Sequence, residues 1–156
     1  MIAGRGIVHS EVPLHREGQA NPNGLQLWID LPKEHKLDEP SYQDLKADQI
    51  PSVHPSPDVH VKVICGTAEG SAEEGFVSSP VRPLGGCWFF DVNLKKKGAK
   101  FWQAIPPGWN AFVSHSGAHS RLCADSHLLR LRPTSSRETS LTARVRPRRR
   151  LSTRRC

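Results

Sequence analysis

From Leu25 to Leu31 the chain alternates apolar and polar positions, with Leu25, Leu27, Ile29 and Leu31 on one parity and Gln26, Trp28 and Asp30 on the other. Successive strand side chains point to opposite faces, so this pattern predicts a strand with one face in a core. Pro22-Asn23-Gly24 signals a turn before it, and Pro32, which has no N–H for a sheet ladder, closes it. Ile2 to Val12 also reads as extended, because Ile7, Val8 and Val12 are β-branched and Gly4 and Gly6 disfavour a helix. The polar, proline-interrupted run 33–50 predicts a surface connection with at most one helical turn, at Tyr42 to Ala47. Pro51, Pro55 and Pro57 then predict a stiff linker over 51–58.

A second series of short apolar runs follows, at Val59 to Cys65, Gly75 to Ser78, Cys87 to Leu94, Phe101 to Ala104 and Ala111 to Val113. They are separated by Gly- or Lys-rich turns such as Lys95-Lys96-Lys97-Gly98. Short strands at close spacing predict an all-β sandwich or barrel, with strands enough here for about half of one. After Val113 the pattern loses its period and the composition shifts. The organisation expected is therefore 1–50, a linker at 51–58, 59–113, and a tail at 114–156 without regular structure.

Charge sharpens that division. The formal net charge is +7. Residues 114–156 hold 11 arginines, no lysine and two acids, a net of +9, which leaves −2 for residues 1–113. The run Arg144 to Arg155, RVRPRRRLSTRR, can pair with phosphate backbones in a salt-sensitive, sequence-blind manner, or serve as a nuclear import signal. It has no aromatic neighbour from Ser114 onward on which bases could stack. The opposing reading is a disordered extension that does nothing.

Cys65, Cys87, Cys123 and Cys156 show no C-x-x-C spacing, which argues against a zinc knuckle or a redox motif and for reduced, buried thiols. No apolar run approaches the roughly 20 residues that span a bilayer, and Met1 to Arg5 has no secretory apolar region. A soluble, intracellular chain is the expectation, with no membrane partner.

His9 and Glu11 are two positions apart, so on a strand an imidazole and a carboxylate would aim at one point. These ligand types suit iron(II) and related divalent metals. The plain alternative is a solvated strand face, and two ligands alone do not hold a metal tightly. His15, His35, His54 and His60 read as exposed or incidental, and His115, His119 and His127 fall in the tail.

Three blocks, MIAGRGIVHSEVP, GLQLWIDLP and EPSYQDL, with VICG at 63–66, WFFDVNL at 88–94 and IPPGWNAFV at 105–113, resemble the pirin family over residues 1–113. The resemblance implies a bicupin, here the incomplete cupin-like strands of two tandem barrels. It implies an iron-type metal, Fe(II) or another divalent ion, held by three histidines and a glutamate, of which His9 and Glu11 are two. The other two would come from an H-x-H motif, and none occurs in this sequence. It also implies quercetin 2,3-dioxygenase activity on a flavonol with Glu11 as catalytic base, or a transcription cofactor role with a transcription-factor partner, in nucleus or cytoplasm. The expectation for the chain as it stands is impaired catalysis. Two rivals stay open, a non-catalytic interaction module and an Arg-tailed nucleic-acid binder.

Overall fold

The computed structural model describes residues 1–13, 17–20, 26–106, 109–116, 120–125, 128–133 and 139–147, with side chains as far as Ser114. The chain divides into two units, Met1–Gln43 and Asp44–Cys156. Among the described residues regular structure is β, apart from single 3-10 turns at Lys33–His35 and Ala47–Gln49.

The second unit is built on the pair β2 (Val59–Cys65) and β5 (Trp88–Leu94). In β2 every second residue, Val59, Val61, Val63 and Cys65, is buried, while His60, Lys62 and Ile64 between them are only partly covered. In β5 Phe90, Val92 and Leu94 are buried on the same rule. The two strands run antiparallel with Val61 opposite Val92 and Val63 opposite Phe90, so the two apolar rows meet on one face. β1 (Ser52–Ser56) pairs outside β2 and adds Val53 to that face. Phe101, from β6 (Phe101–Ala104), packs edge-on to Phe90 with ring centroids 6.4 Å apart. Full burial of such a side chain contributes about 1.5–3 kcal/mol, so this cluster is what holds the unit together.

The larger sheet has the order β1-β2-β5-β10-β7, with β7 at Trp109–Ser116 and β10 at Thr139–Pro147. A three-stranded sheet joins β6, β9 (Leu128–Pro133) and β8 (Ser120–Asp125), and a two-stranded one joins β3 (Thr67–Glu69) and β4 (Phe76–Ser78). The sheets are antiparallel, and among the described residues β1 and β7 are the edge strands of the larger one. The all-β expectation holds, and the arrangement is consistent with a cupin-like fold without a closed barrel among the described residues.

Gly66, at φ +88°, lets the chain turn from β2 into β3 with the Trp88 ring lying where a Cβ would be. The buried Ser79 fastens the end of β4: its hydroxyl donates to the Ile64 carbonyl at 2.8 Å and accepts from the Val81 N–H at 3.1 Å.

Several sequence expectations shift here. The stretch 51–58 was expected to be a linker; it carries β1 instead. Pro55 is tolerated because β1 is an edge strand with a bulge between Val53 and Ser56. Residues 114–156 were expected to lack regular structure, yet the end of β7 and all of β8, β9 and β10 fall among them. Leu141, Ala143 and Val145 alternate with Thr142, Arg144 and Arg146, and the β10 register sets Leu141 opposite Val92 and Ala143 opposite Phe90. The Arg-rich end at 148–156 and Cys156 lie outside the described residues, as does the side chain of Cys123. Cys65 and Cys87 are free, buried thiols.

In the first unit the predicted strand over Leu25 to Leu31 is not formed. Leu25 lies outside the described residues, and 26–31 keep the alternation, with Leu27, Ile29 and Leu31 partly buried, but pair with no strand among the described residues. An alternating run needs a neighbour for its N–H and C=O groups before it becomes a strand. Ile2 to Val12, read as extended, pairs among the described residues only at Ile2, through a bridge to Ser41 of 2.7 and 2.9 Å. Gly4, at φ +50°, sits against the Asp38 carbonyl, where a Cβ would collide, and Arg5 N–H donates to that same carbonyl at 3.0 Å. The helical turn expected at Tyr42 to Ala47 is displaced to the 3-10 turn at Ala47–Gln49.

Candidate metal centre

The structure brings His9 and Glu11 together, although not on a strand. His9 Nε2 lies 3.6 Å from Glu11 Oε1, and both side chains are accessible, at 39% and 68% of their full exposure. The stretch before Pro13 has no ladder to fix alternate faces, so local backbone sets this approach.

The carboxylate is braced from the alternating stretch of the same unit. Gln26 Nε2 donates to both oxygens of Glu11, at 3.1 and 3.2 Å, and Gln26 Oε1 accepts from Trp28 Nε1 at 3.3 Å. Imidazole, carboxylate, amide and indole therefore form one exposed chain of polar groups. Gln26 and Trp28 were not among the candidate residues. The signal was present, since both sit on the polar parity of 25–31, but nothing in the order of residues shows that this parity faces Glu11.

Neither donor meets a third. Among the described residues no group of three or more His, Cys, Asp or Glu side chains is placed to hold a metal ion. His35 Nδ1 is taken up with Asp38 Oδ2 at 2.8 Å. His54 engages Glu74 and stacks on His60. His15, His119 and His127 lie outside the described residues, as does the side chain of His115. One imidazole and one carboxylate fall short of an iron-type donor set, and both carboxylate oxygens already accept from an amide. The residues present do not by themselves fit the metal that the resemblance implies, so no chemistry is routed through one.

No family model matches the chain. Curated relatives do: the chain is 41% identical over 114 residues to "Pirin" of Rattus norvegicus, 43% identical over 113 residues to "Pirin-1" of Arabidopsis thaliana, and 41% identical over 114 residues to "Pirin" of Homo sapiens. Each match takes in 72% of this chain and 35% of the relative. The chain thus spans about a third of the length of these proteins.

Proposed function

We propose that this chain, a pirin-family protein over the 72% of its residues that its relatives match, carries half of a divalent-metal site, formed by His9 and Glu11. The whole-protein activity to which that half-site belongs is oxidation of a flavonol of the quercetin type with iron(II), or an iron-dependent role beside a transcription factor. What supports this reading is the approach of His9 Nε2 to Glu11 Oε1 at 3.6 Å with Gln26 holding the carboxylate in place. Imidazole nitrogen and carboxylate oxygen are the donors of non-haem iron sites. The exposed carboxylate can also take a proton from a flavonol hydroxyl.

Loss of an orienting partner alone lowers metal affinity by about 10- to 100-fold, and absent ligands cost more. The 156-residue chain is therefore expected to bind iron(II) weakly and reversibly and not to consume quercetin. Anaerobic iron titration followed by an oxygen-uptake assay checks this. Weak binding lost in His9→Ala and Glu11→Gln supports the half-site. Tight, stoichiometric iron with quercetin turnover refutes it from one side, and iron binding indifferent to both substitutions refutes it from the other.

A further inference from the structure

His54 and His60, which looked incidental in sequence, meet across the β1–β2 pair. The register Val53 opposite Val61 places His54 and His60 one position further on, just before the bulge. Their rings stack with centroids 4.9 Å apart and a 30° tilt. Val53, Val59 and Val61 fill the core on the other face, so the two imidazoles stand together on the opposite face of the β1–β2 pair.

Glu74 arranges one of them. Its Oε1 lies 3.0 Å from His54 Nδ1, while its Oε2 accepts the backbone N–H groups of His54 at 2.7 Å and of Ser71 at 3.1 Å. These hydrogen bonds, those of His54 foremost, hold the Glu74 carboxyl well below the usual range, at about 2. An ionised carboxylate at Nδ1 selects the tautomer with its proton there, which leaves the Nε2 lone pair of His54 free to bind. A carboxylate behind an imidazole is the usual support of a metal-ligating histidine.

Burial first, then the positive neighbours His54, Lys62 and Lys95, lower the pKa of His60, with Asp91 opposing. Beyond it, Asn93 on β5 sits directly opposite His60 in the sheet, and its Oδ1 is buried with no hydrogen-bond partner among the described residues. The row His54, His60, Asn93 offers two imidazole nitrogens and an orphaned carbonyl oxygen.

We propose that His54 and His60 form a bidentate site for a divalent first-row ion of the kind imidazole favours, nickel, copper or zinc. Glu74 orients His54, Asn93 Oδ1 across the sheet from His60 is a further donor, and water fills the remaining positions. Imidazole nitrogens bind such ions at about 2.0–2.1 Å. Rotation about the side-chain torsions turns one nitrogen of each ring toward a shared ion, His54 from the edge strand β1 and the half-buried His60 from β2. The site uses neither His9 nor Glu11.

Calorimetric titration of the full chain with Ni2+ tests it, in a His9→Ala/Glu11→Gln background that removes the other candidate donors. One equivalent should bind in that background. His54→Gln or His60→Gln should weaken it at least tenfold, and Glu74→Gln by about 10- to 100-fold at unchanged stoichiometry. Affinity should fall as the pH drops and the imidazoles protonate. Circular dichroism checks that each variant keeps its sheet, and where one does not, paramagnetic broadening by Cu2+ in the unsubstituted chain decides, since the amides of 52–62 should broaden first. Broadening centred elsewhere overturns the proposal. So does an affinity untouched by the histidine substitutions, or no binding at all.

Discussion

Glu74 shows how one residue can do two things at the surface. Its hydrogen bonds to His54 and Ser71 tie the turn before β4 to the edge strand β1, and they favour its charged form. Because its folded-state pKa, about 2, lies below the ordinary 4.5, its stabilising effect is fully present above pH 4.5 and is lost as the pH falls through about 2. Urea midpoints measured across that window should drop more in the unsubstituted chain than in Glu74→Gln; parallel curves would mean the carboxylate is not held this way. None of this was legible in sequence, where His54 and Glu74 are 20 residues apart and separated by two strands. His9 and Glu11, by contrast, were legible from spacing, because two residues are too close along the chain for the fold to part them widely. Gln26 was not, since its 15-residue separation from Glu11 is closed only by the path of the backbone.

At the scale of elements, β2 and β5 carry the second unit, and Phe90 sits at their centre, fully buried and edge-on to Phe101. Phe90→Ala should cost about 3–5 kcal/mol, from lost transfer free energy and from a cavity that the paired strands cannot close. Leu37→Ala, at a side chain 82% exposed, should stay within about 0.5 kcal/mol. Chemical denaturation of both variants separates a core from an evenly shared stability; equal losses would contradict the assignment. The same period-two reading that located β2 and β5 also marked 25–31, whose described residues 26–31 form no strand. The difference lies in the partner: Val61 and Val63 find Val92 and Phe90, whereas Leu27 and Ile29 have no strand beside them among the described residues. Alternation states which face would be buried, and pairing decides whether there is a sheet to bury it.

At the scale of the whole molecule the two units differ in kind. Among the described residues of Met1–Gln43 none is fully buried, and Val8, Val12 and Trp28 are 99%, 81% and 76% exposed. The core residues all belong to Asp44–Cys156. Local opening costs least where few apolar groups are covered. Hydrogen exchange read by mass spectrometry should therefore find the amides of β2 and β5 the slowest and those of 1–43 fast, with Ile2, Arg5 and Ser41 the most protected within that unit through their backbone bonds. Uniform protection across both units would defeat this picture.

By itself the sequence determined the β class, the strands β2, β4, β5 and β6 but not β3 between them, and the closeness of His9 to Glu11, because period-two burial and a two-residue spacing are properties of a few consecutive positions. The tertiary structure alone decided that Pro55 sits in an edge strand, that β10 enters between β5 and β7, and that Gln26 reaches Glu11 while His54 meets His60 and Glu74. Those are pairings between distant segments, fixed by which apolar rows can share one face of a sheet, and no local pattern along the chain contains that choice.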